Sequence, residues 1–425
     1  MESLFVLLAL LALLFAGIPV GIALTATGTG LLLLKGIPIA GVPEEFLASF
    51  NSFILLAVPI FLLTSNILLK AGVAKDLFDA VQRWVGGIRG GVAVATIISC
   101  GIFAAISGSS VAVAAMIGTV AIPEMTRRGY DRPFVMGTLA AGATLGILIP
   151  PSIPLIVYAA VAEESTASMF LAGIGPGLCL VAAFLVYCLV KSHRGGAPET
   201  GDAMDDPRSR LTLSIKAAPT IIIALTMIGG IYAGIFTPTE SSAVGLTMTL
   251  VYVLVLRRSL DFKGLREAVV GAGLTTANLL LIIGGANVFG KALLLYRIPF
   301  EISNWIATNI ETAGLFVLIV TALLLVLGLF LEGIAMILIV LPVLLPSLGV
   351  NGIDPVWFGI YFVLMIELAL ITPPVGMNLF VIQSVARSDL NEVIRGVIPY
   401  VVIMMGMVAL IYYVPSIVLY IPFSG

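Results

Sequence analysis

Residues 146–152, with the sequence GILIPPS, place two consecutive prolines in the middle of an apolar run that extends from 133 to 162. Proline lacks a backbone N–H and its ring clashes with the preceding turn, so a helix must break at such a pair. Within lipid, a break is tolerated only where it is buried in protein or lines a watery cavity. We therefore expect a broken helix whose freed carbonyl groups face a ligand, and hard cations are the obvious candidates.

The composition places this break in a membrane. The chain has 425 residues, 60% hydrophobic and only 10% charged, with a mean hydropathy of +1.17. Soluble domains are about 45–50% apolar and about 25% charged. These values exclude a soluble enzyme and a disordered chain and predict an all-α polytopic membrane protein. The net charge of −2 gives no sign of a nucleic-acid partner. The three cysteines form no CxxC pair and there is one histidine, so we expect no disulfide framework, metal centre or organic cofactor.

A second double proline repeats the pattern. Residues 370–376, LITPPVG, interrupt the apolar run 355–386, and the offset that superposes the two proline pairs superposes other residues as well. The further superposed pairs are Pro123 and Pro346, Gly129 and Gly352, and Asp131 and Asp354. One additional span, 167–190, separates the halves, so the second copy should be inverted. Two inverted-topology repeats with paired broken helices are typical of secondary transporters.

Two further apolar stretches are predicted to be re-entrant helical hairpins. Residues 91–123 and 312–346 are too long for one span and too short for two spans and a turn, since each span needs about 20 residues. Their centres hold Ser107-Gly108-Ser109-Ser110 and Glu332-Gly333, respectively. We expect the first hairpin to open to the cytoplasm and the second to open to the outside.

Basic residues predict the orientation, because cytoplasmic loops carry an excess of lysine and arginine. Most of these residues fall in loops that would share one face: 70–89, 127–132, 191–216, 257–266 and 387–395. Only Lys35, Lys291 and Arg297 lie on the other face. Both termini are therefore expected outside, with the loop 191–212 in the cytoplasm.

At this point the chain resembles a known family, the large membrane subunit (DctM-like) of tripartite ATP-independent periplasmic (TRAP) transporters. The resemblance covers essentially the whole chain and rests on 107–110 (SGSS), 146–152, 237–241 (TPTES) and 372–378 (TPPVGMN). It implies a sodium-driven importer in the bacterial inner membrane. It also implies two partners: a small four-span membrane subunit and a periplasmic binding protein that delivers an organic acid. Because Met1 opens directly on the first span, we expect the small subunit to be a separate chain.

The resemblance also implies an elevator, in which a transport domain of hairpins and broken helices slides against a scaffold. The amphipathic stretches 73–86 and 297–308 would be arms between these two parts, although passive anchoring at the interface explains them equally well. The first repeat is predicted at 1–166, with scaffold spans 3–70, arm 73–86, hairpin 91–123 and broken helix 133–162. A linking span and loop follow at 167–212. The second repeat is predicted at 213–395, with spans 213–292, arm 297–308, hairpin 312–346 and broken helix 355–386, and a C-terminal span follows at 396–425.

Two sodium sites are predicted. The first would combine Ser107 and Ser109 with Gly146, Ile149 and Pro151, where apolar members contribute backbone carbonyls. Small residues at a hairpin tip could instead serve helix packing alone. The resemblance and the repeat together imply a second site, formed by Gly333, Thr372, Pro373, Gly376 and Met377.

Substrate contacts are expected near half-helix N-termini, where backbone N–H groups favour anions. The candidates are Ser109, Ser110, Thr372 and Asn378. No lysine or arginine lies inside a core segment, so dipoles, hydroxyls and bound sodium would have to recognise the carboxylate.

Three carboxylates are further candidates. Glu332 and Glu367 lie near the bilayer centre, where a carboxylate usually marks function. Glu332 could instead cap the hairpin tip, and Glu367 could pair with a scaffold group. For Glu240 in the turn 237–241, an N-cap role is favoured over substrate contact.

Other functions fit less well. A stand-alone sodium:dicarboxylate symporter or ion antiporter would share hairpins and inverted repeats but need no binding protein. An intramembrane hydrolase needs an activated nucleophile beside a base, and no histidine lies in any predicted span. A channel is disfavoured because two closed tips indicate alternating gates.

Overall fold

The structure is a computed structural model that describes residues 2–196, 207–373 and 376–423. Pro374, the second proline of the predicted break at 370–376, lies outside the described residues. So do residues 197–206 of the predicted cytoplasmic loop 191–212. All regular elements in the described residues are helices, which we number α1 to α20.

The first half contains α1 to α9. Their bounds are α1 Glu2–Phe15, α2 Val20–Leu34, α3 Gly41–Ala48, α4 Ala57–Lys70, α5 Val73–Val85, α6 Gly91–Ser107, α7 Ser110–Arg127, α8 Arg132–Leu148 and α9 Ile153–Ala162.

The second half contains α10 to α20. Their bounds are α10 Thr166–Lys191, α11 Pro207–Tyr232, α12 Pro238–Leu250, α13 Phe262–Leu295, α14 Ile298–Asn309, α15 Ala313–Leu327, α16 Gly333–Val350, α17 Pro355–Ile371, α18 Met377–Ala386, α19 Leu390–Tyr413 and α20 Ser416–Phe423.

Length and composition make the chain a multi-pass membrane protein. In the described residues, seven helical segments are long and apolar enough to cross a membrane. The number is eight if the segment Ile54–Lys70 is counted with α5, from which it is bent by 72°. The start of the stretch 3–70, which is predicted to hold scaffold spans, forms two shorter helices, α1 and α2, of 14 and 15 residues. Gly17 and Gly36 adopt positive φ angles of 80° and 75° after them, which is how many helices end.

The predicted C-terminal span, 396–425, is divided in the structure. α19 begins at Leu390, inside the segment assigned to the second repeat, because Asp389 caps it by accepting from the Asn391 N–H at 3.3 Å. It ends before Pro415, which has no N–H with which to continue the helix. α20 then forms a separate short helix.

The core of the molecule is formed by the first halves of the two broken helices. Every residue of α8 from Phe134 to Leu148 is buried, and so is every residue of α17 from Val356 to Ile371. The other helices pack around this pair: α7 contacts both α8 and α18, and α16 contacts both α17 and α9. Each hairpin is thereby interlocked with the broken helix of the other half.

A second group of helices packs separately. α13 lies along α2 and α4, and α4 also contacts α12. The backbones of α2 and α13 approach closely at glycines: a Cβ added to Gly21 would lie 2.7 Å from the Leu281 backbone carbonyl. These are the helices predicted to form the scaffold.

The two predicted hairpins differ in shape. α6 and α7 pack along each other, and both pack on α8. In the second half, α15 packs on α17, whereas α16 packs mainly on α14 and α9. The second pair of helices therefore diverges from its connecting turn.

We predict that a single methyl group at Gly396 destabilises the protein. A Cβ there would overlap the backbone carbonyl of Pro133 where α19 crosses α8. Gly396→Ala should lower the free energy of unfolding by about 1–3 kcal/mol, because neither backbone can yield easily. The measurement is thermal unfolding of the purified protein in detergent. Gly406→Ala is the matched control on the same helix, since a Cβ there meets nothing within 4 Å. Equal stability of the two variants would contradict the prediction.

Candidate functional site

The turn between α6 and α7, residues 107–110 (tip 1), lies directly on the break between α8 and α9, residues 149–152 (break 1). Gly108 has a positive φ of 59°, and a Cβ there would lie 2.7 Å from the Pro151 carbonyl oxygen. A Cβ on Gly146 would lie 3.1 Å from the Ser109 carbonyl carbon and the Ser110 nitrogen. Glycine is thus needed at both positions for the close approach. The structure brings Ser107, Ser109, Gly146 and Pro151 together.

The backbone at break 1 is extended. Ile149 ends α8 with φ −82° and ψ 122°, and Ser152 begins α9 by accepting from the Leu155 N–H at 3.3 Å. The Ile149 side chain points away towards Gly101 and Gly177. Of the atoms of Ile149, its backbone carbonyl is therefore the group that could act as a ligand. The last carbonyls of a helix have no partner within it, so break 1 offers acceptors without donors.

The second half has a similar arrangement. The turn at residues 328–332 (tip 2) lies on α17, where Cβ atoms added to Gly328 and Gly333 would overlap the side chains of Ala369 and Ile366. Thr372, at the start of the break 372–376 (break 2), has φ −84° and ψ 126°, which closely match the angles of Ile149. Its hydroxyl donates to the Leu368 carbonyl at 2.6 Å. The oxygen lone pairs of Thr372 remain able to bind a cation.

Break 2 closes back on the helix that precedes it. The Gly376 N–H donates to the Thr372 carbonyl at 3.2 Å. A Cβ on Gly376 would lie 3.1 Å from the Ala369 carbonyl oxygen. Gly376 is therefore packed against the carbonyl end of α17, where the helix leaves acceptors without partners. Pro373 lies in the same turn, next to Thr372.

Both tips border one small cavity, together with residues that flank the two breaks (Ile147, Ile153, Leu370 and Met377); we call it the central cavity. Its volume is about 90 Å³, well below the roughly 300–1,000 Å³ of ordinary ligand pockets. An organic acid could enter only if the surrounding elements moved apart. Leu62 of α4 and Thr275 and Leu279 of α13 also line it, although no pattern in the sequence singles them out. The lining residues are Leu62, Gly108, Ser109, Ser110, Val111, Ile147, Ile153, Pro154, Thr275, Leu279, Glu332, Gly333, Ile334, Leu370 and Met377.

Glu367 connects tip 1 to the second half of the protein. Its carboxyl group is fully buried on α17, and the Ser110 hydroxyl donates to it at 3.0 and 3.2 Å. Its side-chain hydrogen-bond partner among the described residues is thus in tip 1, whereas a scaffold group was the partner considered from the sequence. The predicted substrate contact of Ser110 therefore competes with this hydrogen bond, because the hydroxyl hydrogen is already engaged.

Asn378 is the polar side chain that most clearly lacks a partner. It is fully buried in the first turn of α18, directly after break 2. Within the described part of the chain, neither its amide nitrogen nor its amide oxygen has a hydrogen-bond partner. A buried amide without partners is unfavourable by about 1–3 kcal/mol, so this position is suited to a ligand or a water molecule.

The two remaining carboxylates behave differently. Glu332 occupies the N-cap position of α16. The structure describes the whole first turn of this helix, and the Glu332 carboxylate makes no capping hydrogen bond to it. It lines the central cavity instead. Glu240 forms a capping box with Thr237: its carboxylate accepts from the Thr237 N–H at 2.8 Å, and its own N–H donates to the Thr237 hydroxyl at 3.2 Å. The prediction of an N-cap role for Glu240 is confirmed.

The groups at the site that could bind a cation are hydroxyl oxygens and backbone carbonyl oxygens. In the described ranges, no group of three or more His, Cys, Asp and Glu side chains is placed to hold a metal ion. The oxygen atoms at the tips and breaks are the kind of ligand that suits a hard cation rather than a transition metal.

Residues 7–417 of the chain match the family described as "Tripartite ATP-independent periplasmic transporter, DctM component". The chain belongs to this family. It is therefore a transporter permease of the TRAP class rather than an enzyme. Membership implies a carboxylate substrate and a substrate-binding protein as partner.

Similar proteins agree with this assignment. The chain is 37% identical over 370 residues to the C4-dicarboxylate TRAP transporter large permease protein DctM of Pseudomonas aeruginosa, covering 87% of this chain and 86% of the relative. It is 34% identical to the protein of the same name from Rhodobacter capsulatus, covering 99% of each. The fold resembles the crystal structure of the Alcanivorax borkumensis YdaH transporter, with a TM-score of 0.65, 15% identity and coverage of 87% and 86%.

We predict that Ser110 and Glu367 of this TRAP permease are energetically coupled. Ser110→Ala should lower the free energy of unfolding by about 1–3 kcal/mol, because it removes the partner of a buried carboxyl group. Glu367→Leu removes that group, so the second substitution should make the first much less harmful. SDS-induced unfolding of the wild type, both single variants and the double variant measures the coupling, which should be about 1 kcal/mol or more. Strict additivity would contradict the interaction.

Proposed function

We propose that this chain is the large, transporting subunit of a sodium-coupled importer that takes up an organic acid across the bacterial inner membrane. The proposal rests above all on the central cavity, which both tips line together with residues next to both breaks. Unwound backbone inside a membrane protein is typical of ion and substrate sites in secondary transporters. C4-dicarboxylates, for which both relatives above are named, are the first substrates to test.

The first sodium ion would bind between tip 1 and break 1. Ser107 and Ser109 supply hydroxyls, and Gly146, Ile149 and Pro151 supply carbonyls. The approach of Gly108 to the Pro151 carbonyl and of Gly146 to the backbone of tip 1 supports this grouping. The same glycines also permit close helix packing, which is the alternative role for these small residues.

The second sodium ion would bind at tip 2 and break 2, with Gly333, Thr372, Pro373, Gly376 and Met377. The matched backbone angles of Ile149 and Thr372, which superpose under the proposed repeat, support equivalent roles for the two breaks. The Thr372 hydroxyl already donates its hydrogen to the Leu368 carbonyl. Its oxygen lone pairs would therefore be free to coordinate a cation.

The substrate carboxylate would bind near the same cavity. Ser109, Ser110, Thr372 and Asn378 are the proposed contacts, with Glu332 at the cavity wall. Asn378 is the strongest of them, because its buried amide has two donors and an acceptor to offer. The cavity lining contains no lysine or arginine, so the bound sodium ions would supply the compensating positive charge.

We further propose that α6–α9 and α15–α18 move as a transport domain against a scaffold of α1–α4 and α11–α13. The packing supports two inverted repeats: the contact of α7 with α18 corresponds to that of α16 with α9, and the contact of α4 with α12 corresponds to that of α13 with α2. α5 and α14 would be the arms. A separate small four-span subunit would join the scaffold. The stand-alone symporter is not favoured, since the family implies a binding protein.

The function is tested by uptake into proteoliposomes. The chain is reconstituted with its small subunit, and loaded binding protein and radiolabelled succinate are supplied outside. We expect uptake to require both an inward sodium gradient and the binding protein. Uptake that continues in potassium would overturn sodium coupling, and uptake of free succinate without a binding protein would favour the stand-alone symporter.

The sodium sites are tested by Ser109→Ala and Thr372→Ala. Each should raise the sodium concentration for half-maximal uptake by about three- to tenfold, because a coordinating oxygen is lost and each tenfold change corresponds to about 1.4 kcal/mol. Ser165→Ala and Thr247→Ala are matched controls. Ser165 caps α10 as Ser109 caps α7, and Thr247 donates to the carbonyl four residues before it, as Thr372 does. If the site variants keep wild-type sodium dependence, the ion-site assignment is wrong.

A further inference from the structure

A second, larger cavity lies between the proposed scaffold and the proposed transport domain. We call it the outer vestibule. Its volume is about 690 Å³, and its walls come from α3 and α13 on one side and from α9 and α16 on the other. Ile283 in its wall lies one helical turn after Leu279, which lines the central cavity. The outer vestibule therefore leads towards the central cavity.

The charges of the outer vestibule are few and specific. Its titratable lining residues are Glu45, Glu163 and Lys291. The Lys291 ammonium group forms an ion pair with the Glu45 carboxylate, and both side chains remain partly exposed. Among the lining residues of the central cavity and the outer vestibule, all of which are described, Lys291 is the only lysine or arginine.

This arrangement presents a problem for an anionic substrate. With two glutamates and one lysine, the lining is net negative and repels a carboxylate. The one positively charged side chain in the lining, Lys291, is occupied by Glu45, which is itself a carboxylate. An exposed or half-exposed ion pair contributes only about 0–1 kcal/mol, so an incoming carboxylate can readily exchange with Glu45.

We propose that the outer vestibule is a transient binding site for the substrate carboxylate, in which the carboxylate takes the place of Glu45 on Lys291. The size agrees: about 690 Å³ lies within the range of ligand pockets, whereas the central cavity is too small. This inference rests on the proposed function, and on the orientation in which Lys291 faces the outside.

A purely structural reading of the same ion pair makes a different prediction. If the pair only holds α3 against α13, then removing either partner should impair transport in the same direction. If Glu45 is a competitor for Lys291, the two substitutions must act in opposite directions. The sign of the two effects therefore separates the readings.

The first experiment compares Lys291→Gln with Glu45→Gln in the sodium-driven proteoliposome assay. Lys291→Gln should raise the KM for succinate-loaded binding protein about three- to tenfold, and Glu45→Gln should lower it about two- to threefold, with kcat unchanged in both. Lys70→Gln is the matched control, because Lys70 and Glu267 form an ion pair at the other end of α13. Changes of equal sign in the two variants, or no change in either, would overturn the inference.

The second experiment detects occupancy without transport. Gly290 lines the outer vestibule and a Cβ there meets nothing within 4 Å, so Gly290→Cys should fold normally. A membrane-impermeant maleimide should label this cysteine from the outside of spheroplasts. Succinate at millimolar concentration should slow labelling at least twofold, compared with chloride at equal ionic strength.

Adding Lys291→Gln should abolish the protection while leaving the cysteine reactive. Protection that survives this substitution, or that is absent in the parent variant, contradicts the proposed site. So does labelling only from the inside. Failure of the vestibule site can be told apart from failure of the proposed function. If wild-type proteoliposomes take up succinate with sodium but neither variant changes KM, the vestibule site fails alone. If the wild type shows no sodium-driven uptake, the proposed function itself fails.

Discussion

Backbone polar groups that a helix break releases inside a membrane must find partners within the protein, because lipid hydrocarbon offers none. Break 1 and break 2 release such groups near the ends of α8 and α17, the two most deeply buried helices of the structure. In the structure, the turn of a helix pair lies close to each of these helix ends. Tip 1 lies on break 1, and tip 2 lies on the last turns of α17.

The two halves of the protein also pack against each other around the breaks. α7 descends from tip 1 onto α18, and α16 runs from tip 2 onto α9, so each hairpin stabilises the broken helix of the opposite half. Glu367 adds a polar connection through Ser110. By contrast, α4 and α13 contribute only a few side chains to the central cavity.

Much of this could be predicted from local patterns. The double proline requires a break, and α8 ends before Pro150 as expected, whereas single prolines such as Pro176 and Pro219 are accommodated within helices. The capping box of Glu240 also follows from adjacent residues. Contacts between distant segments could not be predicted, because no spacing rule pairs Ser110 with Glu367 or Lys291 with Glu45. The divergence of α15 from α16 likewise depends on the helices that each of them packs against. Such contacts arise from packing, which the sequence pattern of a single helix does not encode.

The proposed function requires that this chain itself, through its tips and breaks, binds the small cation that drives transport. Calorimetric titration of the purified chain in lipid nanodiscs, without small subunit, binding protein or substrate, tests it most directly. We expect saturable binding with sodium and none with potassium, because carbonyl and hydroxyl oxygens held at fixed distances discriminate between ions of different size. Absence of sodium binding, or equal binding of both ions, would contradict the account.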